Sequence, residues 1–199
     1  MVNMNAIRER WLIDLVVETV QRRMPAAVLI SGAAIVCSVA QFGAGWPAVA
    51  LAGFSLLLVL LTLIDLEAML LPDLLTLPLL VAGLLLHTVA GDMPLIDSAI
   101  GALFGYCSLW LPFLGFKLAT GKEGMGYGDF KLLAAIGAWV GWPMVPFVVL
   151  LACCTCLAAF AARAILLDRP ASSALPFGPF LAAAGWGVAV FGQQIHALM

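Results

Sequence analysis

Apolar stretches of nearly bilayer length recur along the whole chain and are separated by short polar turns. They lie at roughly 24–42, 46–64, 74–90, 95–116, 130–142, 143–164 and 175–192, and a helix needs about 20 apolar residues to cross a membrane. The stretch near 130 is short and is interrupted by Gly137, Gly141 and Pro143. The pattern predicts an all-α polytopic membrane protein, a bundle of about six to eight transmembrane helices.

The segment 1–23 has a different pattern. Ile7, Trp11, Leu15 and Val16 share one helical stripe, and the charged side chains lie mostly elsewhere. A helix of this kind lies in the membrane interface with its apolar face buried. We therefore predict an amphipathic interfacial helix at 1–23, followed by a single transmembrane domain at 24–199.

The composition agrees with a bilayer as the natural solvent. Hydrophobic residues make up 64% of the chain, charged residues make up 10%, and the mean hydropathy is +1.13. The net charge of −2 and the scattered basic residues argue against nucleic-acid binding. The five cysteines form no CxxC pair, so we interpret them as small core residues rather than metal ligands.

The basic residues predict the orientation of the chain. If the amino terminus is cytoplasmic and each apolar stretch crosses the bilayer, every Lys and Arg falls on the cytoplasmic side, in agreement with the positive-inside rule. These residues are Arg8, Arg10, Arg22, Arg23, Lys117, Lys122, Lys131, Arg163 and Arg169. The segments that contain Asp65 and Asp129 lie on the same side.

Asp65 and Asp129 are the candidate functional residues. An acid within a membrane span costs about 2.5–3.5 kcal/mol, which makes Asp65 a functional candidate, although it could equally mark a helix end that touches water. Asp129 closes the segment "GMGYGD", whose glycines Gly124, Gly126 and Gly128 permit positive φ angles and close backbone approach. We expect this segment to hold Asp129 against a neighbouring helix.

Two aspartates at one depth suggest a specific chemistry. Like charges a few ångströms apart cannot both ionise cheaply, so such a pair shares one proton. The ionised member can accept a proton from water while the protonated member polarises a carbonyl, as in aspartic proteases, with no metal or cofactor. A membrane transporter with an ion site and a non-catalytic assembly protein of the same fold are the alternatives.

Three sequence blocks carry a family resemblance. The blocks "IDLEAMLLPD", "GMGYGDFKLLAAIGAWVGW" and "LPFGPFLAAAG" follow one another over most of residues 50–187. Together they resemble the type IV prepilin peptidases, which are bacterial membrane aspartic proteases of the GxGD group. The resemblance implies that Asp65 and Asp129 are the catalytic pair.

Five further residues of these blocks are interpreted as supporting: Gly126, Gly128, Lys131, Glu67 and Asp73. The family pattern places a lysine at the position of Lys131. Glu67 cannot simply replace Asp65, because residues two apart on a helix face different ways. Asp73 follows Pro72, which disfavours helix at the preceding residue, so we expect a loop or capping residue there.

The resemblance also implies a substrate and a location. It predicts an endopeptidase that removes the short basic leader from type IV prepilins or pseudopilins, at the cytoplasmic face of a bacterial inner membrane, in a type IV pilus or type II secretion system. Many family members carry an amino-terminal zinc domain with paired CxxC motifs, linked to N-methylation. This chain has no such cysteines, so we expect peptidase activity without methyltransferase activity. The oligomeric state is left open.

Helix dipoles predict how the proton is shared. Asp129 is expected to open a helix, where negative charge is favoured, whereas Asp65 is near a carboxyl end, where it is disfavoured. We therefore predict that Asp129 is the ionised base and Asp65 carries the proton. The resemblance further implies that the broken helix start in "LPFGPF" approaches the site. His87 is predicted on the opposite face of the membrane, in a packing or interfacial role.

Overall fold

The computed structural model is helical throughout the residues it describes, which are 4–43, 45–90, 93–167 and 175–196. Arg169, one of the basic residues used to predict the orientation, lies outside these ranges. The α-helices in the described part are α1 (Met4–Phe42), α2 (Trp46–Ala68), α3 (Asp73–Ala90), α4 (Leu95–Thr120), α5 (Tyr127–Val140), α6 (Val145–Leu167) and α7 (Gly178–His196). A 3-10 turn, Trp142–Met144, joins α5 to α6.

The helical fold class predicted from the apolar stretches is confirmed. Each stretch corresponds to one helix, and the bounds differ by a few residues except at the first stretch, whose helix α1 begins already at Met4. Four segments in the described part are long and apolar enough to cross a membrane: Pro25–Phe42, Trp46–Ala68, Leu95–Thr120 and Trp142–Ile165. The helices α3 and α7 are apolar but shorter. The chain is therefore a polytopic helical membrane protein.

Helix α1 is one continuous helix of 39 residues that runs through Pro25. Its length is about 58 Å, about twice the thickness of a bilayer's hydrocarbon core. The sequence pattern suggested a boundary near residue 23, but an internal proline removes only one backbone hydrogen bond, which a membrane helix tolerates. The interfacial position of 1–23 stays a prediction.

Helix α5 lies at the centre of the bundle. Its 14 residues span about 21 Å, which is less than a bilayer core. Phe130 and every residue from Leu132 to Ala138 are buried, so α5 is enclosed by other helices and need not match the membrane thickness. Gly137 of α5 and Gly101 of α4 meet backbone to backbone, where a side chain on either would collide.

The carboxyl end of α5 is held by polar side chains of its neighbours. Ser98 donates its hydroxyl proton to the carbonyl oxygen of Ala138 over 2.6 Å, and His87 Nε2 lies 3.1 Å from the carbonyl oxygen of Trp139. The Trp139 indole N–H donates to the carbonyl oxygen of Leu79 over 2.8 Å. The first two bonds satisfy carbonyl groups that the end of α5 leaves without partners. They place His87 at the end of α5 opposite to Asp129, in a packing role.

Candidate active site

Asp65 lies in the last turn of α2 and is only 5% exposed. The helix ends at Met69, whose left-handed conformation (φ 51°, ψ 39°) lets its N–H donate to the backbone oxygen of Asp65 over 2.9 Å. The Asp65 carboxylate accepts a hydrogen bond at Oδ2, from the backbone N–H of Gly178, over 3.1 Å. The Asp65 carboxylate is therefore buried and oriented by a donor from α7.

Asp129 lies in the first turn of α5 and is 8% exposed. Gly126 precedes the helix in an extended conformation, and its carbonyl oxygen accepts from the Asp129 N–H over 3.3 Å. Gly128 abuts the connection between α2 and α3: a Cβ atom at this position would lie 2.7 Å from Leu71 Cβ. The start of α5 therefore packs closely against the segment that follows Asp65.

The backbone angles of the three glycines in "GMGYGD" show what these residues contribute to the fold. Positive φ angles in the described residues occur at Met69, Gly43, Gly121 and Gly141. The glycines before Asp129 are absent from that set, so of the two properties that glycine permits, positive φ is not used there. Their use is close approach: Gly128 leaves room for Leu71, and Gly124 lies against the ring of Phe116.

The two aspartates interact electrostatically. Asp129 lies outside the four segments that are long enough to cross a membrane. Burial, and in second place the negative charge of Asp65, raise the pKa of the Asp129 carboxyl to about 7. Gly128, next to Asp129, packs against Leu71 in the segment that follows Asp65, so the fold brings to one end of the bundle two buried carboxylates that are far apart in the sequence.

The raised pKa of Asp129 bears on the predicted sharing of the proton. Helix-dipole terms are about 0.3–1 kcal/mol, whereas raising the pKa of Asp129 from 3.8 to about 7 corresponds to roughly 4 kcal/mol. Loss of hydration at Asp129 therefore outweighs the dipole of α5. Asp65 is buried as well, at 5% exposed, but the Gly178 N–H donates to its carboxylate and partly offsets the loss of hydration there. These observations point to Asp129 rather than Asp65 as the proton carrier, and that assignment is part of the function proposed below.

Lys131 and Asp73 form an ion pair next to the site. The Lys131 ammonium donates to both carboxylate oxygens of Asp73, over 2.7 and 2.9 Å. Asp73 is the first residue of α3, and the N–H groups of Leu75 and Thr76 bond to the carbonyl oxygen of Pro72. Pro72 therefore occupies the capping position expected for Asp73. The ion pair links the first turns of α5 and α3.

Glu67 is directed away from the aspartates. Its carboxylate accepts from the Thr19 hydroxyl over 2.9 Å and from Arg23 Nε over 3.1 Å. Both partners belong to α1, so Glu67 fastens α1 to the end of α2. This agrees with the expectation that Glu67 cannot substitute for Asp65.

Gly178 is a residue of the site that the sequence did not single out. The approach of "LPFGPF" to the site is confirmed, but its contact with Asp65 is made by a backbone N–H. Every residue except proline has a backbone N–H, so the residue type alone does not indicate which backbone group donates to Asp65. The one available signal was a glycine between Pro176 and Pro179 at a helix start.

The cysteines and the acids form no metal site in the part of the chain that the structure describes. No group of three His, Cys, Asp or Glu side chains there could hold a metal ion. Cys153 and Cys154 are exposed on α6, so interpreting all cysteines as core residues was wrong for these two. The outer face of a membrane helix is itself apolar, and composition alone does not distinguish it from a core face.

These features define a polytopic helical membrane protein with a paired-aspartate site. The chain belongs to the type IV leader peptidase family, which it matches over residues 51–161. The match includes both aspartates and the five supporting residues, whereas Gly178 lies beyond it.

Curated relatives named prepilin leader peptidase/N-methyltransferase are similar to most of this chain. The Aeromonas salmonicida relative is 48% identical over 88% of this chain and 60% of its own length. The Aeromonas hydrophila relative is 46% identical over 88% and 61%, and the Pseudomonas aeruginosa relative is 47% identical over 78% and 53%. The chain thus spans about 60% of the length of the Aeromonas relatives. No solved structure matches it significantly.

Proposed function

We propose that this chain is an aspartic endopeptidase that removes the short basic leader from type IV prepilins or pseudopilins. The observation that carries the proposal is the juxtaposition of Asp65 and Asp129, both buried, with the charge of one raising the pKa of the other. Membership of the type IV leader peptidase family supports the same chemistry. The names of the curated relatives suggest the substrate.

The reaction needs one water molecule and the two carboxyl groups. Asp65, ionised, accepts a proton from the water as its oxygen attacks the scissile carbonyl carbon, and Asp129 donates its proton to the carbonyl oxygen. The tetrahedral intermediate then collapses. Asp65 passes its proton to the leaving amine nitrogen, and Asp129 recovers a proton from a hydroxyl of the intermediate. One peptide bond is hydrolysed and the pair returns to its starting state.

We place the site at the cytoplasmic face of a bacterial inner membrane. Asp65 lies in the last turn of α2 and Asp129 in the first turn of α5, so both are at one end of the bundle. Basic residues gather at the same end: Arg23 contacts Glu67, and Lys131 contacts Asp73. The positive-inside rule favours the cytoplasm for that end. A basic leader would then stay in the cytoplasm while the apolar helix of the substrate enters the bilayer.

The test is co-expression with a prepilin and comparison of Asp65→Asn and Asp129→Asn with the wild type. Each change keeps the shape of the side chain and removes the proton that can be shared. Asp97→Asn is the matched control, because Asp97 lies in the first turn of α4, at the opposite end of the bundle. We expect cleavage to be lost in both site variants and retained in the control, at equal membrane levels. Cleavage by either site variant would remove that residue from the mechanism.

A further inference from the structure

The first turn of α7 directs a single backbone donor at Asp65. The carbonyl oxygen of Phe177 accepts from the N–H groups of Phe180 and Leu181, over 3.1 and 3.2 Å, so Gly178 is the first residue of the helix. Pro179, next along the chain, has no N–H. The Gly178 N–H, which has no acceptor within its own helix, donates to Asp65 Oδ2 over 3.1 Å in a buried contact.

The same contact leaves no space for a side chain at residue 178. A Cβ atom there would lie 2.5 Å from Asp65 Oδ2, 3.0 Å from its Cγ and 3.4 Å from its Cβ. These distances are too short for carbon next to oxygen, so either the carboxylate or the start of α7 would have to move. The carboxylate has little freedom, because Asp65 is 5% exposed.

Helix α7 is also fixed against both helices that carry the aspartates. The Trp186 indole N–H donates to the Ser55 hydroxyl oxygen of α2 over 2.9 Å. Gly185 lies against Ile136 of α5, where a Cβ atom would come within 2.7 Å of Ile136 Cγ2. The start of α7 therefore has a defined position relative to α2 and α5. From that position the Gly178 N–H can orient the Asp65 carboxylate.

We propose that Gly178 is a positioning residue of the peptidase. Its N–H and its lack of a side chain hold the Asp65 carboxylate in the orientation in which it shares a proton with Asp129 and activates water. This inference rests on the proposed function, since it assigns Gly178 a role in orienting a residue of the proposed catalytic pair. It predicts that residue 178 affects the chemical step more than substrate binding.

The kinetic test compares Gly178→Ala with Gly187→Ala in purified protein, using a prepilin as substrate. Gly187 is in the same helix, and a Cβ atom there meets nothing within 4 Å. Displacing a reacting group by about 1 Å can cost about 10²-fold in rate. We therefore expect kcat to fall about 100-fold in Gly178→Ala, with KM changed less than about threefold, and both constants to stay at the wild-type level in Gly187→Ala. A wild-type kcat in Gly178→Ala would overturn the inference.

Including Asp65→Asn and Asp129→Asn separates the two proposals. If these variants still cleave, the proposed function fails. If they are inactive and Gly178→Ala is fully active, only the role of Gly178 fails.

A spectroscopic test does not depend on the folding of Gly178→Ala. Labelling phenylalanine carbonyl carbons and glycine nitrogens restricts the NMR spectrum to glycines that follow phenylalanine, namely Gly43, Gly105, Gly178 and Gly192. A hydrogen bond to an ionised acceptor is shorter and stronger than one to a neutral acceptor. In Asp65→Asn we therefore expect one of these amide protons to shift upfield and the others to stay in place. An unchanged set of signals would overturn the inference.

Discussion

Lys131 donates to both carboxylate oxygens of Asp73, over 2.7 and 2.9 Å, and thereby ties the first turn of α5 to the first turn of α3. Asp129 lies in that turn of α5. Asp65 lies in the last turn of α2, the helix before α3. The ion pair therefore connects α5, which carries Asp129, to α3, which follows the helix that carries Asp65.

Breaking this ion pair should lower activity moderately. The two side chains are 38% and 51% exposed, and exposed pairs contribute about 0–1 kcal/mol to stability. We expect Lys131→Met and Asp73→Asn each to lower kcat/KM by up to about fivefold, and Lys131→Asp combined with Asp73→Lys to recover much of the loss. Lys122→Met, in the loop before α5, is the control. A double variant no more active than the single ones would contradict a role for the pair.

The close contact of Gly128 with Leu71 makes a second prediction. Gly128→Ala would bring a Cβ atom within 2.7 Å of Leu71 Cβ and push the α2–α3 connection away from α5. Because this moves Asp129 relative to Asp65, we expect kcat/KM to fall about 10- to 100-fold, measured with a purified prepilin.

Gly53→Ala is the matched control for Gly128→Ala, since a Cβ atom at residue 53 of α2 meets nothing within 4 Å and alanine favours helix. Adding Leu71→Gly to Gly128→Ala removes the opposing Cβ atom and should restore part of the activity. If Gly128→Ala is as active as Gly53→Ala, the contact does not set the distance between the aspartates.

Local features of the sequence predicted the helices and the pair, because both leave local signals. Apolar length identifies a membrane helix, and Asp65 and Asp129 are acids in otherwise apolar surroundings. The continuity of α1 through Pro25 left no such signal, since proline is also the usual sign of a helix end. The enclosure of α5 depends on glycines of two helices, Gly101 and Gly137, which meet only in the folded chain.

The sequence shows only one of the two effects that act on the proton shared by the aspartates. The helix dipole at Asp129 is a local property, whereas the loss of hydration that raises its pKa arises from helices packed around it. Burial is a tertiary effect and is the larger of the two. The donor to Asp65 is likewise a backbone group of α7, brought in from a distant part of the chain.

The raised pKa of Asp129 predicts the alkaline limit of activity. Asp129 must be protonated to donate to the substrate carbonyl, and its pKa of about 7 means that this proton is lost above neutral pH. We expect kcat/KM to fall about tenfold for each further pH unit on the alkaline side, measured as initial rates of peptide cleavage in detergent. A rate that stays constant up to about pH 9 would show that Asp129 is not the acid.

The same pKa shift predicts how the stability of the fold depends on pH. The pKa of Asp129 is about 7 in the folded chain, against an ordinary value of 3.8, so the native state holds this proton more tightly than the unfolded state does. Its contribution to stability is fully present below pH 3.8 and is lost as the pH rises through about 7. The upper limit of this loss is roughly 4 kcal/mol.

The Asp129→Asn variant has no ionisable group at this position. Comparing it with the wild type therefore separates the contribution of the Asp129 carboxyl from those of other groups. We expect the Tm of the wild type, measured in detergent, to decrease relative to that of Asp129→Asn as the pH rises from about 4 to about 8. Asp97→Asn, which keeps Asp129, should follow the wild type across the range. Parallel Tm curves for the wild type and Asp129→Asn would mean that the Asp129 carboxyl titrates as an ordinary exposed acid, which its burial beside Asp65 argues against.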